Sequence, residues 1–160
     1  MATTPASNTG AVVLDANVLI AVCANEQDKA ATAKTALADY AARGWRYFAP
    51  GVVISETLFV LCGKLQSGAI TAAEHQIGIR SLIAYMSVTF PPPSGDAALI
   101  ARAEQIRSGY GCSHSADGIY IALAEELSQS GATELLTFDA DFPKQAARNA
   151  PTVKVNLLPC

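Results

Sequence analysis

Apolar and polar positions fall into two kinds of block along the chain: short continuous apolar runs, and longer stretches in which apolar residues return every three to four positions. The run AVVL at 11–14 is apolar throughout and rich in Val, which predicts a strand covered on both faces of a parallel sheet, with Asp15 at its carboxyl end. Helical spacing follows over 17–42, as one helix or a helix pair, and Trp45 to Ala49 reads as a second strand closed by Pro50-Gly51. A helix is predicted over 52–66 with Gly68 as its stop. Another runs from Thr71 to Met86, where Glu74, three residues after Thr71, completes a capping box.

Ser87 to Phe90 reads as a weak strand, PPPSG at 91–95 as a loop too short to link two domains, and 96–108 as a helix through Ala98, Ile100, Ala103 and Ile106. The stretch from Gly111 to Gly131 predicts a further helix, with Ser113 or Ser115 near its N-cap and Gly131 as its C-cap. Leu135 to Phe138 is a strand followed at once by Asp139 and Asp141, and Thr152 to Leu157 is the last strand. Repeated strand-helix alternation predicts an α/β fold: one domain over 11–160 with a central, mainly parallel sheet of four or five strands flanked by helices. The first ten residues, MATTPASNTG, lack the basic start and apolar centre of a signal peptide and read as a flexible polar arm. The longest apolar stretch, Ala11 to Ala24, is interrupted by Asp15 and Asn17 and falls short of the roughly 20 residues of a membrane span, so a cytoplasmic protein is expected.

Composition narrows the chemistry. With 51% hydrophobic residues in 160, the chain has material for a core that needs no disulfide or structural metal. Its four cysteines are far apart, with no CxxC pair, and His75 and His114 are its two histidines, which argues against zinc. The net charge of -3 argues against binding nucleic acid by bulk electrostatics and leaves only a local basic groove.

The acids carry more information than the charge total. Ligands of open α/β sheets sit outside the carboxyl ends of the strands, where Asp15 follows VVL and Asp139 follows LLTF. Taken singly, Asp15 also reads as a helix cap and Asp139 as the opening of a turn. Glu56 is embedded in the apolar stretch VVISETLFV, and Asp117 lies one turn into the helix expected from Ser113, where the macrodipole alone would favour a carboxylate. Gathered in one cleft, such acids repel: two unit charges about 4 Å apart at an effective dielectric of about 20 cost about 4 kcal/mol. A cation relieves this, and oxygen-only ligands suit a hard ion such as Mg²⁺, which keeps waters and takes further oxygens from a phosphate substrate.

The segments VLDANVLI at 13–20, ISE at 54–56, SADGIYIALAEE at 115–126 and TFDADF at 137–142 together resemble the PIN domain, with the VapC-type ribonuclease toxins most similar. The resemblance spans nearly the full chain in the right order. It implies an endoribonuclease dependent on Mg²⁺ or Mn²⁺ that leaves 5′-phosphate and 3′-hydroxyl ends, a homodimer, and a VapB-type antitoxin as partner. Asp15, Glu56 and Asp117 match the family's three acids and Asp139 the fourth, so these four are the expected catalytic and metal-holding residues. Asn17, Thr137 and Asp141 are secondary candidates for orienting carboxylates or touching substrate, Asp141 also reading as a loop or solvated residue. Ala16 departs from the family pattern, where Ser or Thr often follows the first acid.

Other residues have plainer readings. His114 suits a cap or the surface. Lys29, Lys34, Arg43, Arg46, Lys64, Lys144 and Arg148 form an RNA-gripping rim only if they converge in space, and Trp45, Tyr47 and Phe48 read as strand packing before base stacking. Tyr110 is a better candidate for a substrate contact. The Ala-rich helices over 30–42 and 71–86 could pair subunits or receive an antitoxin helix. Two rival functions stay open: a PIN-like scaffold that binds RNA or protein without cutting, and an aspartate-nucleophile phosphatase. The phosphatase wants an acid at position 17, which is Asn.

Overall fold

The computed structural model describes residues 9–112 and 116–160. Its elements follow in the order β1 (Ala11–Leu14), α1 (Ala16–Cys23), α2 (Gln27–Ala42), β2 (Arg46–Phe48), α3 (Val52–Gln66), α4 (Ala72–Met86), β3 (Thr89–Phe90), α5 (Asp96–Ser108), α6 (Asp117–Ser128), β4 (Thr133–Thr137), α7 (Asp141–Asn149) and β5 (Lys154–Leu157). All neighbouring strands are parallel, in the order β3-β2-β1-β4-β5. The all-apolar run of β1 takes the centre, with Val12, Val13 and Leu14 fully buried. Chain order reverses beside it: β1 continues to β2 on one side, and β4 returns on the other with Leu14 level with Leu136. The crevice at the carboxyl ends of β1 and β4 is therefore the topological switch point, the ordinary ligand position of such sheets.

Most elements lie where the apolar pattern places them, and the differences have local causes. The segment over 17–42 is a helix pair, broken where Asn25 takes a positive φ of 51° that Asn tolerates better than most residues. Gly68, at φ 74°, ends α3, and the capping box at Thr71 is formed in both directions. The helix expected over 111–131 is shorter, with Asp117 as its first residue and Gln129, not Gly131, as its C-cap. The caps expected at Ser113 or Ser115 lie outside the described residues, as does His114. α7 has no counterpart among the elements predicted from the sequence, which pass from the strand ending at Phe138 to the one beginning at Thr152. Pro143 is the third helical residue, inside the first turn, where its missing N–H leaves no helical bond unmade. Gly10, which the pattern assigns to the polar arm, is instead buried: its carbonyl accepts from Arg46, and a Cβ there would lie 2.3 Å from the Trp45 ring.

Two contacts set the site's frame. A Cβ at Gly118 would stand 2.6 Å from the Ala103 carbonyl oxygen, so α6 and α5 meet backbone to backbone. Phe142, fully buried at the start of α7, meets the Tyr120 ring edge-on with centroids 6.3 Å apart, pinning α7 against α6. No helix among the described residues is long and apolar enough to cross a membrane.

Candidate functional site

At the switch point lies a cleft of about 290 Å³ whose lining includes Asp15, Asn17, Glu56, Phe59, Asp117, Asp139 and Phe142. Four elements supply the acids: Asp15 follows β1, Glu56 rides on α3, Asp117 opens α6, and Asp139 follows β4. Asp15 stands at the N-cap of α1 yet its carboxylate makes no capping bond. The Thr137 hydroxyl donates to its Oδ2 at 2.7 Å, and that same hydroxyl oxygen accepts from Asn17 Nδ2 at 3.1 Å and from the Asp139 backbone N–H at 2.9 Å. Asn17 closes the ring by accepting from the Phe138 N–H at 3.1 Å. Asn17 and Thr137 thus tie the ends of β1 and β4 into one polar knot beneath the cleft.

Each of three acids is held by a neutral donor. Thr137 serves Asp15, the Tyr120 hydroxyl donates to Glu56 Oε2, and Gln145 Nε2 donates to Asp117 Oδ2 at 2.6 Å. Asp139 does double duty, lining the cleft while its Oδ1 accepts the Asp141 N–H at 2.8 Å, so its turn-opening role is real as well. Asp141 is the member the structure leaves out. It is exposed, does not line the cleft, and pairs with Lys144 at 2.8 Å.

The electrostatics record the crowding. Burial, helped by the Asp117 and Glu56 charges and opposed by the Thr137 hydrogen bond, pushes the Asp15 carboxyl up to about 7. Burial likewise raises Glu56, with Tyr120 opposing and Asp117 adding. Burial and the neighbouring Glu56 hold the Tyr120 phenol far above its usual range, so it stays a donor. Among the described residues no ion pair reaches Asp15, Glu56 or Asp139. Asp15, Glu56, Asp117 and Asp139 all offer carboxylate oxygens, a donor set that fits a hard divalent ion. Among the described residues, however, no three acidic, His or Cys side chains already stand at separations that would enclose one.

The basic residues do not form a single rim. Lys64 pairs with Glu26 at 2.8 Å, and the Arg43 guanidinium lies 4.5 Å from the ring centroids of both Tyr40 and Trp45. Arg46 lies over Phe90 at 5.5 Å. Lys29 has its Nζ 5.7 Å from the Phe138 ring centroid, and Lys144 is close enough to feel the charge of Asp139, a lining residue of the cleft. Phe48 is buried and the Tyr47 hydroxyl donates to the Leu37 carbonyl, so that aromatic cluster serves packing. Sequence reasoning did not single out Tyr120 and Gln145 as partners of the acids, since an apolar-looking helix and an unrecognised one carry them. The apolar stretch around Tyr120 also accommodates a phenol whose single polar atom must find an acceptor, the one signal available.

No curated protein is similar to the chain in sequence. Among solved structures, VapBC2 from Rickettsia felis bound to a DNA fragment from its promoter matches 93% of this chain and 99% of its own, at 11% identity and TM-score 0.61. FitAB bound to the IR36 DNA fragment matches 91% of this chain and 94% of its own, at 18% identity and TM-score 0.59. At these identities the likeness is one of fold. The PIN domain sequence profile, by contrast, matches residues 12–148, a span that holds all five strands but the last and every acid of the cleft. On that match, the chain belongs to the PIN domain family.

Proposed function

We propose that this chain is an endoribonuclease that uses Mg²⁺ or Mn²⁺, the toxin of a VapBC-type pair. The observation that carries the reading is the meeting of Asp15, Glu56, Asp117 and Asp139, from four distant segments, in one cleft, three of them bonded by the neutral donors Thr137, Tyr120 and Gln145. These four residues would hold the cation. When bound, it supplies Lewis-acid polarisation of a phosphodiester and a water of lowered pKa. Thr137, Tyr120 and Gln145 orient three of the carboxylates, and Asn17 fixes Thr137. Lys144, near Asp139, stands where it can meet the phosphates of a bound strand. Family membership and the likeness in fold to proteins solved as VapBC2 and FitAB support a VapB-type antitoxin as partner. So do the apolar side chains exposed on α3 and α4, with Phe59 at 81% and Ile83 at 64%.

The direct test incubates the purified chain with cellular RNA and Mg²⁺ or Mn²⁺. Cleavage that stops on chelation and in a folded Asp117→Asn variant is the expected outcome. RNA bound but uncut with every divalent ion would assign the protein to the scaffold reading, and a trapped aspartyl-phosphate would assign it to the phosphatase. Mapping cut sites in total RNA after induction would identify the target. A small DNA-binding protein encoded immediately upstream would be the expected antitoxin.

A further inference from the structure

α7 meets the cleft directly at Phe142 and, through Asp117, at Gln145. Phe142 lines its wall, and three residues on Gln145 lies at 2% exposure with Nε2 2.6 Å from Asp117 Oδ2. An ionised carboxylate only accepts, so the amide must turn its nitrogen to Asp117. That orientation leaves Oε1 buried with no hydrogen-bond partner. An unsatisfied buried carbonyl oxygen is unfavourable, and an apolar side chain of similar length would fill the same space without that penalty. Packing therefore does not account for Gln at this position, whereas the acid it touches does. The amide fixes a carboxylate oxygen while adding no positive charge, so it steadies Asp117 without competing with a cation as Lys or Arg would.

We infer that Gln145 is a positioning residue for the metal centre, holding Asp117 in the orientation that receives a divalent cation; this rests on the metal-dependent reading proposed above. Partners that orient metal-holding residues typically change metal affinity by about 10- to 100-fold when removed. The sequence pattern hides the residue because it sits on a helix that the pattern does not predict.

The test titrates Mn²⁺ into the metal-free full chain by calorimetry, comparing wild type with Gln145→Met, which keeps the side chain's length and removes both the donor and the unpartnered oxygen. Expected is Mn²⁺ binding weakened about tenfold or more, with a Tm equal to or above that of wild type. Unchanged Mn²⁺ affinity in Gln145→Met, with or without a lowered Tm, would overturn the positioning role and leave the metal-dependent reading standing. A wild-type chain that takes up no Mn²⁺ would overturn both. Gln145→Leu guards against a folding artefact: loss of cooperative unfolding in both variants would assign Gln145 to the fold and overturn the inference.

Discussion

Asp15, just past the end of β1, and Glu134, on the neighbouring strand β4, are both buried carboxylates, at 6% and 8% exposure, yet the protein treats them in opposite ways. Glu134 lies toward the amino end of β4 inside a closed network. Lys154 donates to its Oε1 at 2.6 Å, the Tyr40 hydroxyl donates to its Oε2, and Asn156 in turn donates to that hydroxyl at 2.8 Å. Burial pushes its pKa up, but the bonds from Lys154 and Tyr40 and the Lys154 and Arg43 charges outweigh it, and the carboxyl is held below its ordinary value. Asp15, at the other end of the sheet, has a hydroxyl for a partner and two acids for neighbours, and its pKa rises to about 7. Burial alone does not mark a functional acid. What distinguishes the two is whether the fold supplies the compensating charge or leaves it to come from outside.

The largest effect expected from this contrast is on activity. Asp15→Asn should lower RNA cleavage by on the order of 10³-fold or more, because several kcal/mol of charge stabilisation at the phosphoryl group depends on the metal it helps hold. The same variant should fold at least as well as wild type, read by thermal unfolding in chelator. Next is the dependence of stability on pH in metal-free protein. Between 3.8, where Asp15 ionises when unfolded, and about 7, the folded state holds the extra proton, so stability falls as pH rises across that window. In the limit the fall is about 4 kcal/mol, and Asp15→Asn should flatten it in urea titrations. Glu134 acts with the opposite sign: its contribution is present above its unfolded value of 4.5 and is lost as pH falls through its lower folded value.

Thr137→Val removes the hydroxyl shared by Asp15, Asn17 and the Asp139 N–H. It should weaken Mn²⁺ binding by about 10- to 100-fold, read by calorimetry, and raise the Asp15 pKa further. The smallest effect falls on the self-contained network. Glu134→Gln should cost about 1 kcal/mol of stability, modest because Lys154 is largely exposed, with cleavage and Mn²⁺ affinity unchanged. A Glu134→Gln variant that lost Mn²⁺ binding would erase the distinction between the two acids.

The strand-end acids are legible in sequence because VVLD and LLTFD interrupt apolar runs where burial should favour an apolar residue, and the parallel sheet follows from the same runs. Glu56 is legible for a related reason, standing inside VVISETLFV. What the pattern cannot show is how those acids are held. Tyr120 looks like one more apolar residue of α6, and Gln145 like one more polar residue of a stretch given no element, until tertiary packing brings them to Glu56 and Asp117. The pattern likewise shows no difference between Glu134 and a surface acid, because its partners Tyr40 and Lys154 are distant in the chain. The scattered cations were undecidable for the same reason: Arg43 and Lys144 differ in where the fold delivers them, not in their local surroundings.

Gly118 carries the last lesson. The residue next to Asp117 has no room for even a methyl group, since the Ala103 carbonyl already occupies that space. Substituting any larger amino acid would have to push α6 off α5 and carry a cleft acid with it. The aim of that carboxylate is thus guarded by a vacancy one position along the chain, and Gly118→Ala should behave as an active-site lesion although the added carbon would touch neither ion nor RNA.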